Sequence, residues 1–248
     1  MQFPVYFEIG PLALHAHWVF ESIAYTAGFY LYRRHRRRFG DPIDSRSRWY
    51  VTAAAIAGGF IGSRVLSAFE DPFTLAAHWR QPFQFFAGKT IVGGLIGGWL
   101  AVEWVKRVLG VRIATGDLLA LPLVLGIAIG RIGCFLSGLE DQSYGVSTTL
   151  PWSVDFGDGV RRHPTQLYEL LFLAGMAAIL LLRTGRMTAI GDRFKLFLFG
   201  YMGFRLFVDF IKPAVRVGGL SAIQWTCLAA VAYYAPHLPR LVTAVRRG

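Results

Sequence analysis

Long apolar runs separated by short basic clusters dominate this chain. A helix needs ~20 mostly apolar residues to cross the ~30 Å hydrocarbon core of a bilayer. Read on that scale, seven segments qualify: 17–32, 49–69, 83–105, 118–139, 166–182, 194–211 and 219–234. The pattern predicts an all-α membrane protein with about seven transmembrane helices. It forms a single domain over residues 1–248, with no internal repeat and one long non-apolar loop, 140–165. No polar stripe runs along several of the segments, which argues against a pore.

The basic residues orient these segments. Seventeen of the 26 lysines and arginines fall in four regions, after the first, third, fifth and seventh segments. The run Arg33-Arg34-His35-Arg36-Arg37-Arg38 is the densest. The opposite side holds five: Arg80, Arg161, Arg162, Lys212 and Arg216. The positive-inside rule then places the N-terminus outside and the C-terminus in the cytoplasm. The N-terminal Met-Gln-Phe-Pro lacks a basic n-region, so no cleaved leader is expected.

Composition agrees. Hydrophobic residues make up 54% and charged residues 17%, with a mean hydropathy of +0.43. That is too apolar for a soluble domain and excludes disordered and collagenous chains. The net charge of +11 would suit nucleic acid, but the aromatics lie inside the apolar runs and not among the basic clusters. No nucleic-acid partner is expected. Cys134 and Cys227 both sit in apolar runs without a CxxC partner, so neither a disulfide framework nor a zinc site is expected.

Small residues punctuate the segments. Gly58 and Gly62, Gly93 and Gly97, and Gly94 and Gly98 each share a helix face, a spacing that brings backbones together. The run Gly93-Gly94-Leu95-Ile96-Gly97-Gly98 is dense enough also to leave room for a lipid.

Charged residues at membrane depth are functional candidates by default. Four basic residues remain after the loops are removed: Arg64, Lys89, Arg131 and Arg205. Arg131 has no acidic residue three or four positions away. Its planar fork suits a phosphate diester, and an interhelical salt bridge is the alternative. Arg205 has Asp209 at i+4, on its own helix face. Arg64 and Lys89 lie near the outer ends of their segments, where long side chains snorkel to the interface. The richest polar cluster is Arg161-Arg162-His163-Pro164-Thr165-Gln166-Leu167-Tyr168-Glu169. His163 titrates near neutrality and qualifies as an acid or base, with Gln166, Tyr168 and Glu169 beside it. Together these residues describe a site for an anionic phospholipid in the outer half of the bilayer.

Five stretches, in order, resemble the bacterial phosphatidylglycerol–prolipoprotein diacylglyceryl transferases. They are Ile9-Gly10-Pro11-Leu12-Ala13-Leu14-His15, Gly93-Gly94-Leu95-Ile96-Gly97, Gly130-Arg131-Ile132-Gly133, Arg162 through Glu169, and Gly203-Phe204-Arg205 through Asp209. The resemblance covers nearly the whole chain. It implies an enzyme of the bacterial cytoplasmic (inner) membrane. Such an enzyme moves the diacylglyceryl group of phosphatidylglycerol onto the lipobox cysteine in a prolipoprotein signal peptide, without a metal or other cofactor. By position, Arg131 and Arg205 hold the phosphate while Gly93 and Gly94 line the site, with Arg64 as a further phospholipid contact. His163, Glu169 and Arg205 are the catalytic candidates, supported by Gln166, Tyr168, Asp209, Cys134 and Glu21.

Two positions depart from the family pattern. Val92 stands where the family has a histidine before Gly-Gly, and Cys134 where it has an asparagine after Gly-Arg-x-Gly. The family's Tyr-Gly near the first segment has no clean counterpart, and Glu21 falls near it. The lipid-binding half is therefore retained while the proton-transfer half is changed. His163, by itself or by orienting Glu169, and Glu21 are the substitutes the sequence offers. A transferase with another acceptor (a small thiol, amine or hydroxyl) and a non-catalytic phospholipid-binding protein are the alternative readings. Cys134, buried among apolar residues, is expected to fill space and not to act as a nucleophile.

Overall fold

The computed structural model describes residues 3–73, 88–183 and 189–243. Seven helices of thirteen residues or more occur among the described residues. They are α1 (Ala16–Phe39), α2 (Ser45–Ala68), α3 (Ile91–Val108), α4 (Asp117–Leu136), α5 (Thr165–Leu182), α6 (Asp192–Val208) and α7 (Ala222–Tyr234). A short α8 (Leu238–Thr243) follows. Three of them, α2, α4 and α5, are long and apolar enough to cross a membrane.

Two small antiparallel ladders depart from the all-α expectation. β1 (Tyr6–Ile9) pairs with β2 (Leu12–His15), Tyr6 opposite His15. Gly10, at φ +60°, opens the tight turn between them. β3 (Val154–Asp155) pairs with β4 (Arg161–Arg162) in the long loop. Strands this short carry too little alternation to be read from hydropathy.

Helix ends follow caps more closely than hydropathy. α1 runs through the whole arginine cluster and stops at Gly40, whose φ of +76° a helix cannot use. Cations are welcome in its last turn because the helix dipole is negative there. α2 starts at the Asp44 cap, whose carboxylate accepts from the Arg46 and Ser47 amides. The segment read as 83–105 begins outside the described residues as far as 87; at 88–90 the chain is not helical, and the Thr90 hydroxyl caps α3 by accepting from the Gly93 amide. Ser221 and Gln224 close a reciprocal capping box on α7.

Two close crossings set the architecture. α2 and α3 touch through glycine: a Cβ built on Gly62 would lie 2.4 Å from the Gly93 carbonyl oxygen and 2.7 Å from Gly97 Cα. α1 and α4 meet at Gly133, where a Cβ would lie 2.8 Å from Phe20 Cβ and 3.4 Å from His17 Cα. The atoms that a Cβ on Gly62 would meet are backbone, which cannot swing aside. Gly62→Ala is therefore expected to cost about 1–3 kcal/mol of stability through overpacking, read as a lowered thermal midpoint in detergent. An unchanged midpoint would refute the close seam.

α3 to α7 share one apolar core around Val92, Leu173, Phe197, Tyr201, Met202 and Cys227. The outer faces are apolar as well. Trp18, Trp49, Trp104, Leu171, Leu182 and Phe207 are each at least 67% exposed. A surface of that kind calls for lipid around it.

Polar segments sort to the two ends. At one end Arg36 and Arg48 pair with Asp41, Arg48 also reaches the Thr115 carbonyl, Arg193 lies over the Phe39 ring, and Arg183 donates to the Leu241 carbonyl. The segments read as cytoplasmic thus gather together, as far as they are described; Arg186, Arg246 and Arg247 lie outside the described residues, as does Arg80 of the opposite set. The opposite end holds the β1–β2 hairpin, the loop from 138 to 164 and the turn after α6. Val5 donates its amide to Leu136, Val146 to Ile211, and Gly145 to His163.

Candidate functional site

The end opposite the arginine run carries a buried ionic knot. Arg131 comes from the last third of α4, Glu169 from the second turn of α5 and Arg205 from the last turn of α6. Each is at most 7% exposed. Arg131 Nε lies 2.9 Å from Glu169 Oε1, as an ion pair without the angle of a hydrogen bond. Arg205 Nη1 lies 3.8 Å from Glu169 Oε2. The Tyr201 hydroxyl donates to Glu169 Oε1 at 2.6 Å. Arg205 Nη2 donates to Asp209 Oδ1 at 2.8 Å, and the Ser221 hydroxyl donates to Asp209 Oδ2 at 3.1 Å.

This geometry bears on two readings made from the sequence. Arg131 is not short of an acidic partner: Glu169 arrives from the neighbouring helix, so the interhelical salt bridge forms. Glu169 is also not a spare base, because its oxygens are engaged by two guanidiniums and a phenol. Two cations and two carboxylates balance in the knot. What remains open is hydrogen-bonding capacity. The Nε atoms of Arg131 and Arg205 are buried without a hydrogen-bond acceptor. Gln166, one turn before Glu169 on α5 and 1% exposed, has both amide atoms unpartnered. Buried polar groups in native proteins rarely go unsatisfied. A guest with anionic oxygens in this region would satisfy the Arg205 Nε and Gln166 amide donors, while Arg131 Nε stays against Glu169.

A further cation stands at the rim. Lys212 follows the short 3-10 turn Asp209–Ile211. Burial, then the fields of Arg205 and Arg131, push its ammonium down to about 8, opposed by Asp209 and Glu169. Glu70, at the end of α2, is coupled to it; burial pushes that carboxyl up while Lys212 pulls it down.

The other sequence candidates fall elsewhere. His163 Nδ1 lies 3.1 Å from the Tyr168 hydroxyl, which accepts from Trp152 Nε1 at 2.8 Å. His163 therefore does not orient Glu169, whose ring of partners is already closed. Arg162 clamps Asp158 through two 2.7 Å hydrogen bonds and lies over the Tyr144 ring, ordering the loop. The pairing holds the Asp158 carboxyl down at about 2. Gly93 turns toward α2: a Cβ there would meet Gly62 O at 2.3 Å and Leu66 Cβ at 2.8 Å. Gly94 faces Gly59 and Ser63 of the same helix. Both glycines serve the α2–α3 seam, so the small-residue spacing marks packing. Arg64 donates to the Gly88 carbonyl at 3.1 Å, on that same seam. Val92 is fully buried in the apolar core.

A second polar group forms beside the knot, and the sequence did not assemble it. Cys134 Sγ lies 3.8 Å from Arg131 Nη1. Around it, His17, Cys134 and Asp141 place their donor atoms within 4.8 Å of one another, the group of metal-ligand type among the described residues. Glu21 and Lys89 adjoin: Lys89 Nζ is 3.0 Å from His17 Nε2 and 3.2 Å from Glu21 Oε1. Tyr201, inside an apolar run, was likewise missed as a Glu169 partner. A phenol in a buried helix is a hydrogen-bond donor whenever a carboxylate is in reach, and that is the signal the sequence offers.

Comparison with known proteins follows the same lines. The family model described as prolipoprotein diacylglyceryl transferase matches residues 4–236. A phosphatidylglycerol–prolipoprotein diacylglyceryl transferase of Methylococcus capsulatus is 32% identical over 248 aligned residues, covering 92% of this chain and 88% of the relative. One from Bordetella bronchiseptica is 33% identical, covering 92% and 91%. Another, from Geobacter sulfurreducens, is 29% identical, covering 89% and 88%.

Proposed function

This chain belongs to the prolipoprotein diacylglyceryl transferase family, and from that premise we propose that it transfers the diacylglyceryl group of phosphatidylglycerol to the lipobox cysteine of prolipoproteins. The observation that carries the reading is the Arg131–Glu169–Arg205 knot with its unpartnered donors. In the reaction the acceptor sulfur forms a bond to the glyceryl CH2. The bond from that carbon to the phosphate oxygen breaks, with its electron pair going to the phosphate. The thiol proton passes to a base, glycerol phosphate leaves, and a thioether remains. The phosphate gains a full negative charge as it departs. Buried arginine forks, already in place, stabilise that charge without reorganising.

The membrane frame supports the same reading. Seven helices cross the bacterial cytoplasmic membrane, with the arginine-rich end inside and the knot near the outer face. This is where a signal peptide and the headgroup of phosphatidylglycerol meet. The acyl chains lie along the apolar outer surface.

Lys212 adds a pH signature. With its ammonium near 8, the charge is complete at neutrality and is lost as pH rises. A bound phosphate favours the charged form, so the midpoint in the complex lies above that value. Retention of fluorescent phosphatidylglycerol is expected to be flat up to about pH 7 and to weaken as pH rises toward about 10. Lys212→Arg should flatten the curve. The same fall in the arginine variant would remove Lys212 from the site. The function itself is tested by supplying labelled phosphatidylglycerol and a lipobox peptide and following the thioether product.

A further inference from the structure

His17 opens α1 at the outer end and is reached by charged groups from every element packed there. Its Nδ1 lies 3.4 Å from Asp141 Oδ1 in the short 3-10 turn Gly138–Asp141. Its Nε2 lies 3.6 Å from Glu21 Oε2 on its own helix and 3.0 Å from Lys89 Nζ ahead of α3. The Tyr25 hydroxyl donates to Glu21 Oε1 at 3.2 Å. His15, itself 3.1 Å from Glu140, stands 6.4 Å away between ring centroids. Cys134 of α4 completes the surround and touches Arg131.

We propose that His17, oriented by Asp141, is the base that takes the acceptor's proton in the transfer. The inference rests on the function proposed above. With Nδ1–H directed at Asp141, Nε2 is the basic nitrogen, the arrangement by which a carboxylate fixes a catalytic imidazole. The imidazolium formed on proton transfer would lie between Asp141 and Glu21, which compensate its charge. Nε2 is faced by Glu21 and by the Lys89 side chain, which is half exposed and itself pairs with Glu21. One thiol, Cys134, lies between the base and the arginine that meets the phosphate, so proton acceptor and leaving-group cation stand on either side of one side chain. Gly133 makes this possible by letting α4 close on α1 at His17.

Other groups do not fill the role. Val92 has no basic atom and is sealed in the core. His163 is engaged by Tyr168, and Glu169 by two arginines and Tyr201. Cys134 is not a way station, because its sulfur would form a thioether that nothing in the site displaces. Nor is the His17–Cys134–Asp141 group arranged for a divalent metal: Arg131 and Lys89 already bring two positive charges against it.

The test uses the full chain in nanodiscs with phosphatidylglycerol and a lipobox peptide. His17→Gln is expected to lower turnover about 10²–10⁴-fold while leaving bound phosphatidylglycerol within about twofold of wild type. The pH profile separates a base from a structural part. Wild-type rate should level off once the imidazole is neutral. In His17→Gln the rate should keep climbing, about tenfold per pH unit, until the acceptor thiol ionises near its own pKa of ~8.5. Asp141→Asn should shift the wild-type profile without removing lipid. A wild-type profile in His17→Gln, a parallel loss of lipid and turnover, or one zinc per protein that His17→Gln abolishes, would each overturn the proposal. A wild type that transfers nothing to the peptide defeats the function proposed above, and this inference with it. An active wild type with an unaffected variant defeats this inference alone.

Discussion

Arg131→Ala is expected to lose about 10³-fold or more in transfer rate, the scale seen when a preorganised cation or donor is removed from a developing phosphate or oxyanion charge. Arg131 is buried, and its guanidinium spans the gap between Glu169 and Cys134. Its removal leaves Glu169 with Arg205 at 3.8 Å and the Tyr201 hydroxyl at 2.6 Å, so the carboxylate keeps partners and the fold should hold. The lost rate therefore reports on chemistry. Arg131→Lys should recover only part of it, because an ammonium supplies one point charge where the fork supplies paired donors. Thermal unfolding run beside the kinetics checks the distinction. A folded Arg131→Ala protein with wild-type turnover would remove the arginine from the reaction.

Glu169→Leu is expected to act the opposite way, mainly on stability. Both buried guanidiniums lean on this carboxylate. Breaking a buried ion pair from one side typically costs about 3–5 kcal/mol, because the remaining charge is left without compensation. Arg131→Met combined with Glu169→Leu should recover most of that loss, since Arg205 retains Asp209 at 2.8 Å. The double variant should nevertheless remain inactive. Thermal midpoints of the wild type and the two variants measure this. A Glu169→Leu protein as stable as wild type would show that the knot does not hold α4, α5 and α6 together.

How much of this was legible in the sequence differs from residue to residue. Arg131 and Arg205 stood out because charge at membrane depth is costly and seldom idle, and Glu169 because it belongs to the polar cluster around His163. Their mutual pairing was hidden, since it joins three helices and leaves no spacing signal; only Arg205 with Asp209, four residues apart on one helix, was readable in advance. Gly93 and Gly94 were assigned to lipid on resemblance, yet their spacing to Gly97 and Gly98 already carried the correct message of close helix contact. Hydropathy found the apolar stretches but ended the first of them at 32, whereas α1 continues to Phe39 on good helix-forming arginines. His17 was invisible as chemistry. Its partners Asp141, Lys89 and Cys134 come from three separate segments, and they meet only because Gly133 permits the crossing.

The most direct test of the central claim is a product analysis. Purified protein in nanodiscs receives phosphatidylglycerol labelled in its diacylglyceryl group and a peptide bearing a lipobox cysteine, and the peptide is sequenced by mass spectrometry. The account predicts label on the cysteine sulfur as a thioether, with glycerol phosphate released in equal amount and both products formed at least about 10³-fold more slowly by Arg131→Ala. Release of no glycerol phosphate from the wild type, with phosphatidylglycerol bound but intact, would contradict it.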